Sequence, residues 1–239
     1  MEQYQTFFRV QHHECGPDRA MRLSPIFDRL QNAAAEHADR LGCGLTAMLD
    51  NASLWVLSRL KLRFFRRPQL GEDVELLTYP SGEDKLFARR EYRMRVGAET
   101  LISGSSAWLV LDRSSLRPQR PGHKFSFPEN ADLPVEYPVL DKIPAVPEVT
   151  ESRHYRVSAS QIDLNGHLNN AFYAAFVQDA LGTADLAELQ LNFLQSCPLD
   201  SRIVTSTGSA ENAVYVCGKL AEDMAADGKL CFQALARLK

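Results

Sequence analysis

Leu60-Lys61-Leu62-Arg63-Phe64 and Leu189-Gln190-Leu191-Asn192-Phe193 are the two stretches that decide how this chain folds. Each alternates apolar and polar residues, the period of a half-buried strand. Each is followed by a short break and a second strand-like run, Val74-Glu75-Leu76-Leu77-Thr78 in one place and Ile203-Val204-Thr205-Ser206-Thr207 in the other. Leu60, Leu62, Phe64, Leu70, Val74 and Thr78 align with Leu189, Leu191, Phe193, Leu199, Ile203 and Thr207 at one ungapped offset. Spacing shared across two strands and the break between them marks an internal repeat.

A helical pattern precedes each strand pair. In the first copy Ser24 is placed to cap, Pro25 suits the first helical position and Gly42 ends the pattern. Ile26, Phe27, Leu30, Ala34, Ala38 and Leu41 form its apolar stripe. In the second copy Asn169 or Asn170 caps, Phe172, Ala175, Phe176 and Ala180 face inward, and Gly182 closes the helix. Further strands are expected over residues 86–96, 100–111, 213–221 and 229–238. One helix per antiparallel sheet, twice over, is an α+β architecture. Seven of the twelve prolines fall between Pro118 and Pro147, a composition that excludes a long helix or a central strand. The expected organisation is therefore a domain over residues 1–120, a Pro-rich linker over 121–148 and a second domain over 149–239.

Composition narrows the function classes. Apolar residues make up 45% of the 239 and charged residues 24%, as in an ordinary globular protein. A net charge of −3, with no aromatic-and-basic motif, does not point to nucleic acid. The first residues show no basic region followed by an apolar stretch, and no apolar run approaches membrane-spanning length, so neither a signal peptide nor membrane insertion is expected. Cys15, Cys43, Cys197, Cys217 and Cys231 are odd in number and lack CxxC spacing. They suggest a reducing, cytoplasmic setting and no zinc site. His12-His13 beside Glu14 and Cys15 does not converge as a metal site, because neighbouring side chains diverge. No Gly-rich phosphate loop is present, and no cofactor is indicated.

The chemistry is concentrated in Gln161-Ile162-Asp163-Leu164-Asn165-Gly166-His167-Leu168-Asn169-Asn170. Alternation over a short extended or turn-like run sends Asp163, Asn165 and His167 to one side. The N–H groups of the helix that follows would face the same volume. A carboxylate, an amide, an imidazole and a positive helix end are the parts needed for acyl transfer from a thioester. The same Asx residues can equally build a tight turn and a helix cap and nothing more.

Asp163-Leu164-Asn165-Gly166-His167-Leu168-Asn169-Asn170 resembles the Asp-x-Asn-x-His-x-Asn-Asn signature of the fatty acyl–acyl carrier protein thioesterases of plants and bacteria. The first half is similar to that family in Trp55 to Arg59, Pro68 to Val74 and Ser106 to Val110. The resemblance implies a tandem (double) hotdog, each hotdog a helix wrapped by an antiparallel sheet. It implies a hydrolase of fatty acid biosynthesis, releasing free fatty acid from acyl carrier protein. Catalysis would lie in the second hotdog, and the acyl-chain pocket and carrier docking in the first, whose Arg22-Leu23-Ser24-Pro25 stands where the second copy has its Asp/Asn/His loop. His167 would move the proton, Asp163 would orient the imidazole or polarise water, and Asn165 would hold water or the carbonyl. Backbone N–H groups near Asn169 and Asn170 would meet the oxyanion.

One position departs from the family, which places a Glu where this chain has Ser196, with Gln195 beside it. Gln195 can hydrogen-bond water but cannot take its proton. Cys197 is either a nucleophile or a buried small residue. Glu36 or His37 would supply chemistry from the first helix, or simply belong to its polar face. Arg59, Lys61, Arg63, Arg66 and Arg67, with Arg89, Arg90, Arg93 and Arg95, form either a docking face for an acidic carrier protein or a solvated outer sheet face. Competing functions are an acyl-CoA thioesterase, a non-catalytic acyl-binding hotdog protein and, less well matched to the loop, a dehydratase. Two fused hotdogs fit a monomer or a homodimer.

Overall fold

A computed structural model describes residues 2–125, 128, 130, 132–146, 148–221 and 228–239. Pro147, one of the prolines of the expected linker, lies outside the described residues, as do residues 126, 127, 129 and 131 of the same stretch. The chain divides into two compact units: Met1–Met21 with Arg29–Leu140, and Arg22–Asp28 with Asp141–Lys239.

In the first unit the elements run β1 (Tyr4–Arg9), α1 (Leu23–Arg40), α2 (Leu45–Asp50), β2 (Ser53–Phe64), β3 (Asp73–Asp84), β4 (Phe87–Val96), β5 (Glu99–Asp112) and β6 (Pro118–Gln119). The opening residues of α1 group with the second unit. The strands pair antiparallel in the order β1-β3-β4-β5-β2, with β6 on the end of β5. The second unit contains β7 (Thr150–Arg156), α3 (Asn170–Leu181), β8 (Leu186–Phe193), β9 (Arg202–Ala210), β10 (Ala213–Leu220) and β11 (Leu230–Leu238). Its order, β7-β9-β10-β11-β8, is the same topology with every strand advanced by one repeat. The α+β expectation therefore holds in both copies, and β1, β6, β7 and α2 are additions to it.

Local chemistry explains the element ends. The α1 pattern stops as foreseen at Gly42, whose φ of +70° suits a residue without a Cβ, while Cys43 N–H donates to the Ala38 carbonyl at 2.9 Å. The helix starts at Leu23, so Ser24 and Pro25 lie inside its first turn rather than ahead of it. In α3 Asn169 is the cap, its side-chain oxygen accepting from Ala171 N–H at 2.9 Å, and Gly182 closes the helix at φ +70°. The buried face of α3 is Ala171, Tyr173, Ala174, Phe176 and Val177, so only Phe176 of the expected stripe is fully buried. This helix is apolar almost all round, which leaves its periodicity with little to report.

The sheets bury the alternating residues that announced them. Leu60, Leu62 and Phe64 are buried on β2, as are Leu189 and Leu191 on β8. Gly104 of β5 sits opposite Leu62, where an added Cβ would meet the Lys61 carbonyl oxygen at 2.4 Å and the Leu62 side chain at 2.5 Å. Beyond β6 the Pro-rich chain packs Tyr137 and Leu140 against Ala107 and Phe87 of the first unit. Ile143 and Val146 pack with Tyr215 and Cys217 of the second. Glu91 anchors part of this strap: its carboxylate accepts from Ser105 Oγ at 2.5 Å and from Glu136 N–H at 3.0 Å. Burial raises the Glu91 pKa above the usual carboxylate value.

Candidate active site

The Asp/Asn/His segment is a closed turn. Asp163 N–H donates to the His167 carbonyl at 2.8 Å, and Gly166 N–H to the Asp163 carbonyl at 3.0 Å. Gly166 takes φ +79°, the left-handed conformation this turn requires. Asp163 Oδ1 accepts from Asn165 N–H at 2.8 Å and from His167 N–H at 3.3 Å, while Asn165 Nδ2 reaches Oδ2 at 3.4 Å. The carboxylate thus acts on the His167 backbone, and no hydrogen bond from it to the imidazole is formed. Strand-like alternation does not govern a turn folded on its own carboxylate. Asn165 is exposed, and Asp163 and His167 are half-buried.

The turn is fastened on both sides. Leu168 N–H donates to the Cys197 carbonyl at 2.8 Å, Asn169 N–H to the Gln161 carbonyl at 2.9 Å, and His167 bridges to Pro198. A single 3-10 turn at Ala159–Gln161, closed by a capping box between Ser158 and Gln161, leads into it. The N–H groups of Asn169, Ala171 and Phe172 donate to Gln161 O, Asn169 Oδ1 and Asn169 O. These donors of the helix end are therefore engaged within the protein, and what the end offers a developing oxyanion is the field of α3. Asn169 Nδ2 also points to Asp28 Oδ1 of α1 at 3.4 Å. Sequence reasoning passed over Asp28, although a carboxylate set between Phe27 and Leu30 in an apolar stripe was a visible signal.

The first unit contains the same turn without the chemistry. Gly16 N–H donates to the Ala20 carbonyl at 2.9 Å, Arg19 N–H to the Gly16 carbonyl at 3.0 Å, and Met21 N–H to the Pro68 carbonyl at 2.8 Å. A capping box between Gln11 and Glu14 leads in, and Arg19 takes φ +64°. Gly16, Asp18 and Ala20 thereby stand where the second copy has Asp163, Asn165 and His167. The counterpart of the site is this turn, which corrects the expectation that placed Arg22-Leu23-Ser24-Pro25 there.

Ser196, which the resemblance aligns with the family's Glu, and Gln195 beside it are both exposed next to the turn. The Gln195 carbonyl accepts from Tyr173 Oη at 3.4 Å. Cys197 is fully buried, its thiol against those of Cys231 and the Tyr173 hydroxyl, which fits the buried-residue reading better than that of an accessible nucleophile. The neighbouring Cys197 thiol and burial together push the Cys231 thiol well up. Glu36 is bonded by the Tyr4 hydroxyl, and His37 is only 2% exposed. Arg90 donates to His37 Nδ1 at 3.0 Å and to Thr78 Oγ1 at 3.1 Å. His37 therefore belongs to the core, not to a polar helix face. Burial, with Arg90 and Arg40 nearby, lowers its pKa to about 4.

The basic set is not a bare solvated face. Arg59 bonds the Leu140 carbonyl and stacks on Phe87, Lys61 lies over Tyr137, and Arg63 pairs with Glu136 at 3.1 Å. Arg66 is shared between Glu72 and Glu99, each at 2.8 Å, and Arg67 pairs with Asp18. The alternation that put Arg59, Lys61 and Arg63 on one face was correct, but the Pro-rich strap occupies that face. Among the described residues no group of three or more His, Cys, Asp or Glu is placed to hold a metal ion, and no helix is long and apolar enough to cross a membrane.

Models of the acyl-ACP thioesterase N-terminal and C-terminal domains match residues 1–123 and 145–228. The chain belongs to the acyl-ACP thioesterase family. Relatives within the acyl-ACP thioesterases include the chloroplastic oleoyl-acyl carrier protein thioesterase 2 of Arabidopsis thaliana, 24% identical over 91% of this chain and 65% of that protein. The chloroplastic palmitoyl-acyl carrier protein thioesterase of Gossypium hirsutum is 25% identical over 87% of this chain and 56% of its own length. The chain thus spans about two thirds or less of these curated relatives. Among solved structures, an acyl-ACP thioesterase from Bacteroides thetaiotaomicron aligns with a TM-score of 0.83 at 18% identity, covering 99% of this chain and 98% of that one. The 12:0-ACP thioesterase of Umbellularia californica aligns with a TM-score of 0.76 at 19% identity, over 98% and 96% of the two chains. At such identities the likeness shows the hotdog-type fold of the acyl-ACP thioesterases.

Proposed function

We propose that this protein hydrolyses the thioester of acyl-acyl carrier protein, releasing free fatty acid in fatty acid biosynthesis. The observation that carries the reading is the asymmetry of the duplicated turn: Asp163, Asn165 and His167 in the second unit, Gly16, Asp18 and Ala20 in the first. Residues needed only for the turn would be expected in both copies. His167, whose imidazole can both accept and donate a proton, is the proton carrier in this reading. Asn165 holds the water or the carbonyl, and the end of α3 at Asn169 and Asn170 favours the oxyanion. The second domain, from about residue 149, is then catalytic. The first, to about residue 120, holds the acyl chain and meets the carrier protein, with residues 121–148 joining them.

The docking role of Arg59, Lys61, Arg63, Arg66 and Arg67 enters in reduced form, because paired cations attract an acidic partner less than bare ones. Arg63, with 49% of its side chain exposed, is the member best placed to re-pair with a carrier carboxylate. All five cysteines carry thiols, which fits a cytoplasmic protein, working as a monomer or a homodimer. Ser196 at the family's Glu position favours a second reading, an acyl-binding protein without turnover. Release of free acid from a panel of acyl-acyl carrier proteins, and from the matching acyl-CoA thioesters, separates these. Turnover that His167→Ala lowers by on the order of 10²-fold or more supports the hydrolase. Equal rates in parent and variant would sink it, and binding without turnover would favour the second reading.

A further inference from the structure

Thioester hydrolysis needs a group that takes a proton from water, and the position where the family has its Glu holds Ser196, which cannot serve as a carboxylate base. Among the described residues, several other carboxylates are held by partners of their own. Asp163 has both oxygens turned to donors of its own loop. Asp179 accepts from the Tyr155 hydroxyl, Asp200 pairs with Arg156, and Asp185 pairs with Lys239. On α1, Glu36 is bonded by Tyr4, and Glu14, ahead of that helix, is buried in a pair with Arg29. Asp28 differs from all of these in place. It is half-buried, it groups with the second unit although it lies on α1, and it meets the side chain of Asn169, the residue that caps α3 immediately after the turn.

We propose that Asp28 is the catalytic carboxylate of this site, the base that takes a proton from the attacking water. The proposal rests on the thioesterase reading above. Water adds through its oxygen to the thioester carbonyl carbon as Asp28 takes its proton. The adduct then breaks its carbon–sulfur bond, and the sulfur leaves as the thiol with a proton relayed through His167. Acid and thiol together account for every atom of thioester and water. The 3.4 Å separation between Asn169 Nδ2 and Asp28 Oδ1 is long for a hydrogen bond, as such contacts often are before substrate closes the site.

The rival role for Asp28 is to steady Asn169, and one substitution separates the two. Asp28→Asn keeps a carbonyl oxygen that accepts from Asn169 but cannot take a proton. On an acyl-acyl carrier protein that the parent hydrolyses, Asp28→Asn is expected to lower kcat by on the order of 10²–10⁴-fold with KM and melting temperature little changed. Asp28→Glu should recover part of the rate, and added formate should restore turnover to Asp28→Ala. Parental rates in Asp28→Asn, or an Asp28→Ala rate indifferent to formate, overturn the assignment while leaving the hydrolase intact. A parent inactive on every acyl thioester removes both readings together.

Discussion

Asp163→Ala removes the oxygen on which the N–H groups of Asn165 and His167 converge. A loss of about 1–2 kcal/mol is expected, read as a lower urea midpoint, whereas Asp163→Asn keeps an acceptor and most of the stability. A carboxylate that only oriented the imidazole would leave the midpoint unmoved in both variants. At this scale the residue types were legible because Asp, Asn, Gly and His in that order have few uses. Their geometry was not, since alternation describes an extended chain and Gly166 bends this one back at φ +79°. Asp28 was legible only as a carboxylate inside the apolar stripe of α1, and its place beside the second-half site was not. Its partner Asn169 lies in the other half of the sequence, and no local pattern links the two.

Among the elements, β5 offers the sharpest test of packing. Gly104→Ala would drive a methyl group into the Lys61 carbonyl and the Leu62 side chain. Backbone cannot yield as a flexible side chain does, so a destabilisation of about 1–3 kcal/mol is expected, measurable by chemical denaturation. Strand pairs and helix ends were readable from sequence where alternation or a cap residue was distinct, as at β2, β8, Gly42 and Asn169. The inward face of α3 was not, because Ala, Phe, Tyr and Val surround that helix on nearly every side. Nor was the cover over Arg59, Lys61 and Arg63 foreseeable. It is made by Tyr137 and Leu140, which the proline content had marked only as linker.

Stability as a function of pH belongs to the whole molecule, and His37 gives it a defined contribution. The unfolded imidazole binds a proton near pH 6.5, whereas the buried ring resists one until about pH 4. Between those values the unfolded chain holds more protons, so stability rises with pH across the window. The contribution of the neutral ring is complete above about pH 6.5 and is lost as pH falls toward 4. His37→Leu should therefore flatten this part of the profile, by at most about 3 kcal/mol, in denaturant midpoints measured at several pH values. Identical slopes in parent and variant would refute the assignment. The tandem organisation was legible from one constant offset, because duplicated strands keep their spacing. The duplicated turn escaped notice because Gly16 and Ala20 share no side-chain chemistry with Asp163 and His167.

Grouping of Arg22–Asp28 with the second unit bears on how such a gene can recombine. A crossover placed in the Pro-rich strap, where sequence alone would put it, hands the daughter protein Asp28 from one parent and Asn169 from the other. The Leu23 N–H bond to Gln178 would likewise become a junction between two lineages. Hybrids assembled from distant relatives would inherit a mismatched pair, and a shuffled library would be filtered at those few residues before any difference in substrate preference could show.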